Sequence, residues 1–102
     1  MEIDYQYALS DQEAKARLDV LGSYLQNKHG IKVTWLDDNR AKFSGRYLMV
    51  KIEGELAVGN SRAVFKGEDP GFLLRSRAKD YIHGKLADYL NPKTALADLP
   101  NR

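Results

Sequence analysis

Apolar side chains recur at two different spacings along this chain, and the order in which the spacings follow one another leaves few folds open. A period of two marks a strand with one covered face, and a period of three to four marks a helix with one apolar stripe. Ile3, Tyr5 and Tyr7 alternate with Glu2, Asp4 and Gln6, which predicts a strand. Ser10, with Glu13 three residues on, has the pattern of a capping box, and Ala14, Leu18, Leu21 and Leu25 follow on one helical stripe. The spacing predicts a helix from Ser10 to a left-handed stop at Gly30, with Lys28 and His29 suited to its C-terminal dipole.

From Ile31 the period returns to two. Ile31, Val33 and Trp35 predict a second strand, Asp37-Asp38-Asn39 a polar turn, and Ala41 with Phe43 a third strand. Gly45-Arg46 reads as the next turn. Leu48, Val50 and Ile52 then share one face of a fourth strand, with Tyr47 and Met49 on the other. Gly54 suggests a bulge before Leu56 and Val58. Gly59-Asn60 has the composition of a two-residue hairpin loop, and Ala63 and Phe65 define a fifth strand. Asp69 as N-cap and Pro70 in the first position open a last helix. Leu74, Ala78, Tyr81, Ile82, Leu86, Tyr89 and Leu90 fall along it, and Asn91-Pro92 ends it.

The order is β-α-β-β-β-β-α. Strands joined by short turns pair antiparallel, and a sheet with one apolar face needs a cover. The expected fold is α+β: an antiparallel sheet of about five strands with two long amphipathic helices on one face. Residues 1–92 form a single domain, and 93–102, weakly patterned, are expected to be a loosely held tail.

Composition removes several kinds of chemistry. The chain has no cysteine, so disulfides, thiolate metal sites and a cysteine nucleophile are excluded. The start has no basic segment leading into an apolar run, and no stretch is long and apolar enough to span a bilayer; a cytoplasmic protein is expected. A net charge of +2 does not call for nucleic acid. His29 and His83 stand apart with no acidic ligand pair, the glycines match no phosphate-binding loop, and Asp37-Asp38 is explained by its turn. No nucleophile, base and oxyanion donor can be grouped from these residues, so neither enzymatic function nor a cofactor is expected.

Two sets of residues remain as candidate contacts. Tyr47 and Met49 are the candidate interaction surface, since their face of the fourth strand is predicted to lie open. Arg75, Arg77, Lys79 and Lys85, close together in the last helix with Tyr81 beside them, are candidate anion contacts, and weak nucleic-acid binding through them is an alternative reading that the near-neutral net charge disfavours. A surplus of aromatic residues would also suit a small apolar ligand held between the sheet and the last helix.

One further pattern carries a resemblance. A capped helix from Ser10 to Gly30 leads to a strand ending in Trp35. Phe43-Ser44-Gly45, a glycine-punctuated strand pair and Gly71-Phe72-Leu73-Leu74 at the start of the final helix follow. Over about residues 5 to 90 this resembles the polyhydroxyalkanoic acid system protein family, chiefly at Trp35, Phe43, Gly45, Leu73 and Leu74. The resemblance implies a small bacterial cytoplasmic protein linked to storage-polyester metabolism, with the granule surface for partner; the open apolar sheet face, read from the residues, would equally suit a second copy of the chain, as in a dimer. The resemblance implies no catalytic residues.

Overall fold

The computed structural model describes residues 1–102. Five strands, β1 (Glu2–Gln6), β2 (Lys32–Trp35), β3 (Arg40–Tyr47), β4 (Val50–Gly59) and β5 (Arg62–Gly67), form one sheet in the order β1-β5-β4-β3-β2. Every neighbouring pair is antiparallel. Helix α1 (Asp11–His29) carries the chain from one edge strand to the other, and α2 (Phe72–Tyr89) follows β5. The fold is the predicted α+β arrangement. The short edge strands place Glu2, Asp4 and Lys32 at the rims, where charge discourages pairing with another chain.

One rung of the sheet explains the core. Ile3, Phe65, Leu56, Ala41 and Trp35 stand in register across all five strands on one face. Ala14, Leu18, Leu21 and Leu25 of α1 and Ala78, Leu86 and Tyr89 of α2 are buried over this face. Burial of such side chains is the main force that holds helices to sheet. The start of α1 forms as its composition predicts: Ser10 Oγ accepts the Glu13 N–H at 3.1 Å. Its end is a left-handed Gly30 whose N–H, with that of Ile31, reaches back to Gln26 and Leu25.

Four local expectations are corrected. There is no turn at Gly45-Arg46; β3 runs through to Tyr47 and the turn is Leu48-Met49, with Tyr47 paired to Val50. Gly54 makes no bulge, because pairing continues unbroken from Tyr47–Val50 to Arg40–Ala57. It is glycine because Gly54 and Gly67 face each other beneath the Phe65 ring: a Cβ on Gly54 would lie 2.6 Å from the Gly67 Cα and 2.8 Å from that ring. The β4–β5 loop is Asn60-Ser61, one residue later than expected, both left-handed with φ of 53° and 62°. Helix α2 is capped by Gly71, not Asp69, because Gly71 has φ 102°, outside helical geometry; Asp69 instead accepts the Gly71 N–H and holds Arg75.

The segment after α2 folds back along α1. It contains one turn of 3-10 helix (Leu96–Asp98) and buries Leu99. Thr94 O accepts from Arg17, Asn101 O from Asn27 and Pro100 O from the Tyr89 hydroxyl. These contacts tie down a stretch whose sequence predicts a loose tail.

Candidate functional site

The uncovered face of the sheet is polar. Glu2, Lys66, Glu55 and Lys42 stand on one rung with alternating charge. Arg62 pairs with Asp4, Arg40 with Asp37 at 3.0 Å and Glu55 at 3.7 Å, and Ser44 donates to Glu53 at 2.7 Å. Opposite charges on facing strands stabilise such a surface in water. Its apolar side chains, the paired Ala57 and Val64 and the separate Leu36, stand among these charges and make no extended apolar patch. Tyr47, expected on this face with Met49, lies on the helix side instead. The two-residue loop between Tyr47 and Val50 puts both on the same face, since partners in a pair share a face.

The four most exposed large apolar side chains are gathered at one end of the sheet, while Leu36 and Leu96, less exposed, stand singly elsewhere. The β3–β4 loop presents Leu48, 69 % exposed, and Met49, 82 %. The first turn of α2 presents Phe72, 77 % exposed, and Leu73, 81 %. Topology puts the two pairs at the same end. β5 stops at Gly67 opposite Gly54, so the β3–β4 hairpin projects past it. The chain leaving β5 runs beside the projecting stem, with Glu68 N–H on Glu53 O and Lys51 paired to Glu68 at 3.1 Å, before α2 begins. Leu48 is held at φ 55°, a backbone conformation that glycine and asparagine adopt far more readily than leucine. The fold thus keeps a large apolar residue exposed where a polar one would also be less strained.

An aromatic brace fixes the hairpin against the helices. The Tyr47 ring stacks on Tyr81 at 3.8 Å and 19°. His29, at the end of α1, meets Tyr47 edge-on at 4.9 Å and Tyr81 at 6.0 Å. Lys85 Nζ lies 4.6 Å from the centre of the Tyr24 ring and 5.7 Å from that of Tyr81. Burial, then Lys28 and Lys85, hold the His29 pKa below its ordinary value, and outweigh the favourable helix terminus. The Tyr81 hydroxyl is buried without a hydrogen-bond partner; burial first, then the neighbouring tyrosines, raise its pKa.

The remaining candidates separate. Arg75 is paired with Asp69, Arg77 and Lys79 are exposed on α2 without an acidic partner, and Lys85 turns inward to the brace. The four therefore do not form one anion-binding surface. Between the sheet and α2 lies a void of about 30 Å³ walled by Leu21, Leu25, Phe43, Phe65 and Leu86. Small-molecule pockets run to about 300–1,000 Å³, so this void has room for no such ligand. No three His, Asp or Glu side chains are grouped to hold a metal.

Exposure of Leu48, Phe72 and Leu73 was not legible in the helical and strand stripes. For Phe72 and Leu73 a different signal was available: both precede Leu74, which is the first residue of the apolar stripe of α2 and is itself no more than half-buried.

The model of a family described as "putative polyhydroxyalkanoic acid system protein" matches residues 1–93. No curated protein and no solved structure matches the chain.

Proposed function

The chain belongs to the polyhydroxyalkanoic acid system protein family, and from that premise we propose that it is a non-enzymatic accessory protein that adsorbs to the surface of storage polyester in the cytoplasm. One observation carries the reading: four large apolar side chains, Leu48, Met49, Phe72 and Leu73, project from a single end of a domain whose remaining surface is mostly polar. An aliphatic polyester is an apolar solid in water. Removing apolar area from water at its surface favours adsorption whatever the detailed shape of the contact. Burying what these four side chains still expose contributes about 5–9 kcal/mol, from which the cost of immobilising the chain at the surface is subtracted.

Met49 keeps its place in the contact from the sequence reading. Tyr47 acts one step behind it, since its stack on Tyr81 holds the loop in position.

Adsorption to purified polyhydroxybutyrate particles tests the proposal. The wild-type chain is expected to sediment with the particles. A variant with Leu48→Asn, Met49→Ser, Phe72→Glu and Leu73→Gln is expected to stay in the supernatant. A wild-type chain that remains in solution, or a variant that sediments equally, would overturn the reading. A second copy is the competing partner for the same residues, and a wild-type chain that is dimeric until these four are changed would favour it.

A further inference from the structure

We infer that the apolar end is built for an interface bearing anionic headgroups, with a layer of acidic amphiphiles as its partner; this rests on the polyester reading and narrows the surface it meets. The charges around the four apolar side chains carry the inference. Arg46 stands two residues before Leu48 in the hairpin stem, opposite Lys51. Arg77 lies one helical turn behind Leu73, and Lys79 two turns behind Phe72. All three are exposed, and none is paired with a carboxylate.

The acids of this end are otherwise engaged. Glu68 is held by Lys51 at 3.1 Å and Asp69 by Arg75 at 2.5 Å. Asp80 is unpaired and follows Lys79 directly, and the Glu53 carboxylate of the stem meets only the Ser44 hydroxyl, but both sit farther from the tips than Arg77 and Arg46. The nearest free charges to the apolar tips are therefore cations. Against a bare polyester, whose ester groups are neutral, Arg46, Arg77 and Lys79 would lose hydration and gain no counter-charge. Against acidic headgroups at the same depth they gain one while Leu48, Met49, Phe72 and Leu73 enter the apolar layer.

The shape favours a fluid layer over a folded protein. The four side chains sit on two separate projections, a hairpin tip and a helix start. A stable protein pair engages about 20–30 residues a side, which two tips do not supply. An amphiphile layer can close around each tip separately.

Vesicle flotation tests the inference with the full chain. Vesicles of phosphatidylcholine alone are compared with phosphatidylcholine mixed with phosphatidylglycerol, at low and high salt. We expect at least about tenfold stronger partition onto the mixed vesicles at low salt, with the preference eroded as screening grows. Arg77→Gln with Lys79→Gln is expected to lose about thirtyfold of the affinity for mixed vesicles, while adsorbing to bare polyester particles as the wild type does. Its melting temperature confirms that it is folded; if it is not, Arg46→Gln on the hairpin makes the same comparison from another element. Equal partition onto both vesicle types, or a charge variant that keeps the preference, overturns the inference and leaves polyester adsorption standing. A chain that floats with acidic vesicles but does not adsorb to polyester retires the polyester reading instead.

Discussion

A guanidinium is costly to bury unless its donors find acceptors, and the acceptors of Arg17 come from both ends of the chain. It is 2 % exposed and donates to Tyr89 O at 3.2 Å, Asn91 O at 3.0 Å and Thr94 O at 2.6 Å, while Glu13 takes its other side at 3.2 Å. Arg17→Ala would strand three carbonyls and free the segment after α2. The expected loss is about 3 kcal/mol, read as a lower urea midpoint, with faster proteolysis within residues 93–102. Arg17→Lys is expected to recover only part of it, because one ammonium cannot span the same fork. Nothing in the sequence pointed to this role: Arg17 reads as one more charge beside an apolar stripe, and its partners are carbonyls more than seventy residues away. His29 makes a second prediction at this scale. Its folded pKa is depressed, so the folded state resists a proton that the unfolded chain accepts. The stability it contributes is full above the unfolded pKa of about 6.5 and is lost as pH falls toward the lower folded value. The groups facing it are Lys28, Lys85, Tyr24, Tyr47 and Tyr81, none of which can neutralise the new cation. Melting temperature measured from pH 7.5 to pH 5 is expected to fall less for His29→Gln than for the wild type.

Hairpins show what alternation can and cannot say about a strand. Periodicity placed the buried residues of β4 and β5 correctly, because each lies on a continuous strand whose parity never changes. It misplaced Tyr47, because a two-residue loop inserted into an alternating run leaves the run looking unbroken while it restarts the pairing. Leu48-Met49 carries no glycine, asparagine or aspartate to announce a turn, so the loop was invisible and the helix-side aromatic brace with it. The same reasoning predicts the effect of supplying the missing turn residue. Leu48→Gly removes a left-handed leucine that costs about 1–2 kcal/mol and adds glycine's greater unfolded-state entropy, about 0.5–1 kcal/mol. The balance is a stabilisation of about 0.5–1 kcal/mol, seen as a higher urea midpoint with an unchanged slope. Gly54→Ala acts in the opposite direction. Its methyl would overlap the Lys66 carbonyl oxygen at 2.5 Å and the Phe65 ring, neither of which can move without breaking β4–β5 pairing. A loss of about 2–3 kcal/mol is expected, and a wild-type midpoint for this variant would mean that the strands are not so closely opposed.

Across the whole molecule, stability and the proposed surface draw on different residues, and this separation can be measured. The core joins the sheet to both helices through side chains that are almost wholly buried, while Leu48, Met49, Phe72 and Leu73 lie outside it. Replacing all four should therefore not unfold the chain. Two of the replacements should strengthen it. Leu48→Asn puts at φ 55° a residue that tolerates that conformation. Phe72→Glu places a carboxylate in the first turn of α2, which has no acidic residue there and only a glycine as its cap. Together they are worth about 1 kcal/mol or more, or about 4–8 °C in melting temperature for a domain of this size. The four-residue variant is thus expected to melt no lower than the wild type while losing adsorption. A fall of several degrees would place these side chains among those that hold the fold, and the apolar end would then be a consequence of packing instead of a contact surface. A gain in stability together with lost adsorption would show that the chain keeps, at a cost to its own stability, residues that only an external apolar surface rewards.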